Sequence, residues 1–306
     1  MRLRYAAALL AAVLALAVVG LLVANRGAAT DTPLADGDAT GHYKEPWELG
    51  KKAASALQGV VESVPPDGRP HAGTRRGGRT GPLTPSEPLT ATEAATSAAV
   101  GPLFYTAQGE PVHGCTASVV HSPRRDLIVT AAHCVYMDGF RTDLAFVPGY
   151  KDGKAPYGVW VPGSIDIDPE WARNRDPDHD VAFLRLRPAT GDPRGEIEGV
   201  TGAEELRFGG PRRLPARVLG YPNAGERPVA CQNATEAESA TQQRFACEGL
   251  PNGTSGSPFL TDVDPATGLG TLVGVLGGKD EGGDEETSYS TYFGDAIERL
   301  YRRAVR

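Results

Sequence analysis

The sequence contains no C-x-x-C pair and no H-E-x-x-H segment, so its four cysteines and six histidines offer none of the familiar zinc spacings. Positive charge is not in excess either: the formal net charge of −7 argues against nucleic acid as a partner. No internal repeat is present, which sets aside solenoids and propellers. Charged residues are sparse at 23%, whereas 38 glycines and 25 prolines give a chain of short elements separated by many turns. The 306 residues suffice for one large domain, or two ordinary ones, with an ample core. No metal and no cofactor is expected.

Charge is also missing from one long stretch. After Arg2 and Arg4, a run of 20 residues from Tyr5 to Ala24 carries none. A basic flank followed by an apolar run is an export signal, and this one is long enough to span a bilayer. Residues 1–24 are therefore expected to be a cleaved signal peptide or a membrane anchor. Either places the remainder outside the cytoplasm, secreted or tethered to the outer face of the membrane, where disulfides persist. Residues 25–97, rich in proline, glycine, alanine and threonine, read as a tether or pro-segment. One helix is expected within it, with Pro46 in the first turn and Ala53, Leu57, Val60, Val61 and Val64 on one face. Gly50 and Gly59 weaken that helix.

Residues 98–306 change in texture to short apolar runs between turns, the pattern of an all-β domain. Strands are expected at 103–106, 115–120, 127–131, 159–161, 181–186, 216–219 and 271–276. Phe293, Ile297, Leu300, Tyr301 and Ala304 then recur at helical spacing, which predicts a closing helix over 293–306.

The chemistry begins at Gly253-Thr254-Ser255-Gly256-Ser257-Pro258. Glycines on both sides allow Ser255 to sit on a tight turn with its hydroxyl exposed. Backbone N–H groups of Gly253 and Ser255 can then converge on a developing oxyanion, the geometry that acyl transfer needs. His133 directly follows the apolar run 127–131, framed by the small Ala131 and Ala132, so its imidazole would lie at a strand end. Asp180 stands at the mouth of another apolar run. A carboxylate buried there beside an imidazole would fix the Nδ1–H tautomer and stabilise the imidazolium. A surface Gly/Ser turn, a structural histidine and a metal ligand formed with Cys134 are the alternatives that these residues leave open. The order His133, Asp180, Ser255 differs from that of an α/β-hydrolase, whose G-x-S-x-G elbow is also absent.

Thr130-Ala131-Ala132-His133-Cys134, Asp180-Val181-Ala182-Phe183-Leu184 and the Ser255 segment together resemble the three motifs of chymotrypsin-fold, trypsin-like serine peptidases. The resemblance covers about residues 98–306. It implies two antiparallel six-stranded β-barrels with a C-terminal helix and an active site in the cleft between them. It further implies His133, Asp180 and Ser255 as catalytic residues, and the N–H groups of Gly253 and Ser255 as oxyanion hole. The pocket strand would pair with extended substrate through Val275, Leu276 and Gly277. The four cysteines alone allow three connectivities. The resemblance implies Cys115 with Cys134 beneath the histidine loop and Cys231 with Cys247 near the pocket, each bridge contributing about 3 kcal/mol in the chain-entropy model.

Thr254 replaces the aspartate that precedes the nucleophile in animal enzymes, so their zymogen switch is not expected. Ser257 is similar to the bacterial glutamyl-endopeptidase branch, yet the pocket strand lacks that branch's histidine. The acidic stretch 280–286 after this strand is expected to be a solvated loop, with basic substrates or a Ca²⁺ site as its alternatives. The expected function is that of a monomeric extracytoplasmic serine endopeptidase acting on protein or peptide substrates. A non-catalytic surface binding module on the same fold, or an esterase or narrow processing enzyme with the same three residues, are its alternatives.

Overall fold

The computed structural model describes residues 34–66, 83–107, 109–189 and 195–306. Among them no helix is long and apolar enough to cross a membrane, and the run from Tyr5 to Ala24 lies outside them.

Seven strands form the first sheet: β1 (His42–Lys44), β2 (Val100–Ala107), β3 (Glu110–Val120), β4 (Leu127–Thr130), β5 (Ala145–Phe146), β6 (Trp160–Ile167) and β7 (Ala182–Pro188). Six of them follow the order β7-β4-β3-β2-β5-β6, and antiparallel pairing of β6 with β7 closes them into a barrel. β1 is added outside, against β6. Side chains alternate across a strand, so Ile128 and Leu184 enter the barrel core while Val129 and Phe183 face the other way. That outer side is also buried, against Leu260 and Leu272 of the second sheet and Ile297 and Leu300 of the last helix. Burial on both faces is why 127–131 and 181–186 read as unbroken apolar runs.

The second sheet contains β8 (Glu205–Leu206), β9 (Pro215–Gly220), β10 (Val229–Ala237), β11 (Gln242–Ala246), β12 (Pro258–Thr261), β13 (Thr271–Val275) and β14 (Thr287–Thr291). Their order is β8-β13-β12-β9-β10-β11-β14, with the short strand Thr92–Glu93 alongside β10. All pairs are antiparallel except β8 with β13, where a two-residue strand covers the edge of the pocket strand. The mostly-β architecture with one closed six-stranded barrel agrees with expectation. In the second unit six strands run in the order β13-β12-β9-β10-β11-β14, with the two-residue strands β8 and Thr92–Glu93 added, and the Gly277 N–H just after β13 donates to Tyr289 O of β14.

Among the described residues four α-helices accompany the sheets: α1 (Trp47–Ala56), α2 (Pro169–Asn174), α3 (Ile197–Thr201) and α4 (Asp295–Ala304). In α4 the buried Ile297, Leu300 and Ala304 touch core residues of both sheets, so the helix seals the seam between them. Its first turn carries Asp295 and Glu298 and its last turn Arg302 and Arg303, the arrangement the helix dipole favours.

Within the described part of 25–97, residues 34–66 pack on the first barrel, whereas Thr92–Glu93 lies on the second sheet. Leu34–Ala35 pairs with Phe140–Arg141, and Glu62–Ser63 with Lys154–Ala155. The helix expected after Pro46 forms as α1 but stops at Ala56; a 3-10 turn over Leu57–Gly59 follows, leaving Val60, Val61 and Val64 beyond it. Gly50, a weak helix former, lets α1 lie close against β6: a Cβ there would lie 2.9 Å from Val161 Cγ2. Leu57 is buried in one cluster with Val100, Phe104 and Val161.

Candidate active site

β4 and β7 are hydrogen-bonded neighbours with Thr130 opposite Ala182, so the end of β4 and the start of β7 share one edge of the barrel. At that edge β4 runs into the 3-10 turn Ala132–Cys134, which holds His133, and Asp180 follows the turn Pro177–His179, two residues before β7. Local register therefore brings together two residues that are far apart in the chain. Asp180 is fully buried, and its carboxylate accepts three N–H groups. Oδ1 takes the His133 backbone N–H at 2.9 Å, while Oδ2 takes His133 Nδ1–H at 2.7 Å and the Gly278 N–H at 2.8 Å. This fixes the proton on Nδ1 and leaves Nε2 with its lone pair.

The electrostatics of the pair are reciprocal. Burial disfavours the charged form of each, pulling the His133 pKa down and pushing that of Asp180 up. Mutual attraction and the hydrogen bond outweigh burial in both. The imidazole ends above its ordinary value, with further help from the charge of Glu281, and the carboxyl ends below its own.

Ser255 is the partly exposed member of an otherwise buried run, Gly253 to Pro258. Gly253 has φ +100°, and a Cβ there would lie 2.2 Å from the Asn223 nitrogen. Only glycine meets both conditions. Gly256, next to the serine, packs so closely that a Cβ would lie 3.2 Å from the nitrogen of Ala131, two residues before His133. The serine loop is thus seated on the end of β4. Among the described residues Ser255 Oγ makes no hydrogen bond to the imidazole; such contacts often tighten only once substrate is held. The N–H groups of Gly253 and Ser255 donate to no described group, whereas those of Thr254, Gly256 and Ser257 are all engaged.

Both disulfides join the cysteines as the resemblance implied, Cys115 to Cys134 and Cys231 to Cys247. With their sulfurs bonded to each other, Cys115 and Cys134 offer no thiolate to a metal beside His133.

Val275, Leu276 and Gly277 run beside the serine loop, where Leu276 O accepts the Gly256 N–H, and the N–H groups of all three are internally engaged. They donate to Ser290 Oγ, Ser257 O and Tyr289 O respectively. Among the described residues the Gly277 carbonyl receives no donor, so it is the group free to meet a substrate backbone N–H. Gly277 also packs on Asp180, with a virtual Cβ 2.8 Å from Oδ2.

A cavity of about 820 Å³ opens next to Ser255, with Leu250 and Leu276 in its wall. Glu248, Glu281, Asp284, Glu285 and Glu286 also line it, and no lysine, arginine or histidine does. The nearby Lys279 is drawn aside, its ammonium 2.6 Å from Glu238 Oε1 and over the Tyr289 ring.

Three participants escaped sequence reasoning. The Gly278 N–H that helps hold Asp180 is a backbone group with no residue signature. Trp171, buried in α2, sets its ring 6.4 Å from that of His133. Thr116 binds the serine loop from β3, and its one sequence signal is that it follows Cys115.

A family model described as a trypsin-like peptidase domain matches residues 115–275. No curated protein sequence matches the chain significantly. Among solved structures, the chain is similar to the protease Anisep from Arthrobacter nicotinovorans, with a TM-score of 0.61 and 25% identity over 71% of this chain and 99% of the other. A thermostable serine protease, AL20, from an extremophilic microorganism superposes with TM-score 0.58 at 24% identity, covering 68% of this chain and 97% of the other. A Glu endopeptidase does so with TM-score 0.56 at 17% identity, covering 71% and 96%.

Proposed function

The chain belongs to the trypsin-like peptidase family and is a chymotrypsin-fold serine endopeptidase, and on that footing we propose that it cuts peptide bonds outside the cytoplasm through an acyl-enzyme on Ser255. Ser255 Oγ attacks the scissile carbonyl while His133 Nε2 takes its proton. Asp180 remains ionised and steadies the imidazolium. Negative charge that develops on the carbonyl oxygen is received by the Gly253 and Ser255 N–H groups. His133 then protonates the leaving amine, and water, activated by the same imidazole, releases the acyl group. The observation that carries this assignment is the Asp180–His133 pair, joined by two hydrogen bonds with a third to Asp180 from Gly278, at the edge where the Ser255 loop presents two unpaired N–H groups.

Two disulfides and the basic-flanked apolar run from Tyr5 to Ala24 support an extracytoplasmic setting, with 1–24 as signal or anchor and 98–306 as the peptidase domain. The substrate class follows from the cavity. A pocket beside the nucleophile with five carboxylates and no cation favours a cationic side chain and repels an acidic one.

Ser255→Ala is expected to abolish both labelling by a fluorophosphonate probe and clearing of casein. Full labelling of that variant would exclude Ser255 as nucleophile. Labelling of the parent with ester cleavage but no peptide cleavage would favour the esterase alternative.

A further inference from the structure

We infer that Thr116, a buried residue of the first barrel, is the positioning residue that holds the oxyanion-binding loop of the second sheet in its working shape. This rests on the catalytic assignment above and adds a residue to it.

Thr116 is fully buried in β3, and all of its polar groups are engaged. Its N–H donates to Ser255 O at 2.7 Å, and its hydroxyl donates to Gly253 O at 3.1 Å. The hydroxyl also accepts the Tyr221 N–H at 2.8 Å, and the Thr116 carbonyl accepts Thr130 Oγ1–H at 2.7 Å. One residue thus ties together β3, β4, the end of β9 and the serine loop.

What matters is which peptide units it grips. The unit between Gly253 and Thr254 is held at both ends, its carbonyl by the Thr116 hydroxyl and its N–H by Pro251 O at 3.0 Å. The unit between Ser255 and Gly256 is held likewise, its carbonyl by the Thr116 N–H and its N–H by Leu276 O at 2.7 Å. These two flank the unit that carries the Ser255 N–H, and the first of them starts at Gly253, whose own N–H is the second oxyanion donor. With both neighbours pinned, the free N–H groups have one orientation. The units that carry the two donors are also held at their carbonyls, Asn252 O by the Asn223 N–H and Thr254 O by the Ser257 N–H. The Thr116 clamp on Gly253 O therefore fixes the turn at Gly253, where no Cβ resists rotation. A backbone N–H at 116 serves for any residue type except proline, but the bond to Gly253 O needs a side-chain donor, here the hydroxyl.

The test uses the full chain with Thr116→Val, which keeps the shape and removes the hydroxyl, and Thr116→Ser, which keeps the hydroxyl. Kinetics on a peptide anilide and inhibition by a peptide aldehyde, whose adduct places an oxyanion in the site, supply the readouts. Thr116→Val is expected to lower kcat about 10- to 100-fold with KM within about twofold, and to weaken the aldehyde in parallel, because a misaimed donor loses part of what a deleted one loses. Thr116→Ser should stay within about threefold of the parent on both measures. If Thr116→Val retains parental kcat, or if Thr116→Ser falls as far as Thr116→Val, the role is packing and the proposal fails. Should Thr116→Val not fold, Thr116→Ala against Thr116→Ser decides on the same criteria. Ser255→Ala run alongside separates the two levels. A parent whose hydrolysis survives that change loses the catalytic assignment and this proposal with it, whereas Ser255-dependent activity untouched by Thr116→Val sinks this proposal alone.

Discussion

At the scale of single residues, the proposed chemistry rests on how one carboxylate spends its lone pairs. Asp180 accepts two N–H groups from His133 and one from Gly278, so it can stay charged while fully buried. The pH dependence follows with a definite sign. Burial alone would make His133 easier to deprotonate, but the Asp180 charge and hydrogen bond, with Glu281 behind them, leave its pKa raised. In the proposed mechanism only the neutral imidazole takes the serine proton, so kcat/KM should fall as pH drops through that raised pKa, with a midpoint above the ordinary histidine value of about 6.5. Asp180→Asn removes the charge and the tautomer control together; kcat should drop by about 10⁴ and the midpoint should move down. A midpoint unmoved in Asp180→Asn would show that the carboxylate does not set the histidine's proton affinity. The sequence marked His133, Asp180 and Ser255 because each follows or precedes an apolar strand or a glycine pair. Thr116 went unmarked because a threonine inside a strand is unremarkable until its hydroxyl is seen to bridge two sheets.

At the scale of elements, the loop after β13 changes meaning once its position is known. From composition, 280–286 is a solvated acidic turn, and its carboxylates are indeed exposed. Folded, the loop lines the cavity beside Ser255, and its charges face whatever side chain enters. Substrates with lysine or arginine before the cut bond are expected to exceed those with glutamate by tenfold or more in kcat/KM, with the gap narrowing at high salt. Replacing Asp284, Glu285 and Glu286 by their amides should shrink that ratio. A glutamate preference in a positional-scanning peptide library would overturn the cationic assignment. Strands β11 and β14 explain why this neighbourhood was hard to read. Gln242, Gln243, Ser288 and Ser290 are buried there, satisfied by partners such as Val273 O for Gln243 and the Val275 N–H for Ser290. A strand whose inward positions are polar has no hydrophobic alternation to betray it.

At the scale of the whole molecule, residues 34–66 belong to the packed body. β1 extends the first sheet, and Leu57, only 2% exposed, joins the core cluster of Val100, Phe104 and Val161. Leu57→Ala is therefore expected to cost about 2–5 kcal/mol in urea denaturation, the usual penalty for emptying a filled core site. A loss below about 0.5 kcal/mol, typical of surface changes, would mean that the segment only rests on the barrel. A stretch rich in proline and glycine looks like a tether because composition reports local stiffness and turn content. It does not report whether a neighbouring sheet has an open edge or a cleft to fill.

The sequence alone determined the strands buried on both faces, the amphipathic last helix, and the three segments that carry the imidazole, carboxylate and hydroxyl. Each of these is a property of a few adjacent residues: their apolarity, periodicity, size or backbone freedom. Tertiary structure alone decided which carbonyls Thr116 grips, which N–H groups remain open beside Ser255, and where the acidic loop and residues 34–66 come to rest. Those outcomes depend on distances between residues remote in the chain. Such distances are fixed by how two sheets and a helix pack, and no local pattern encodes them.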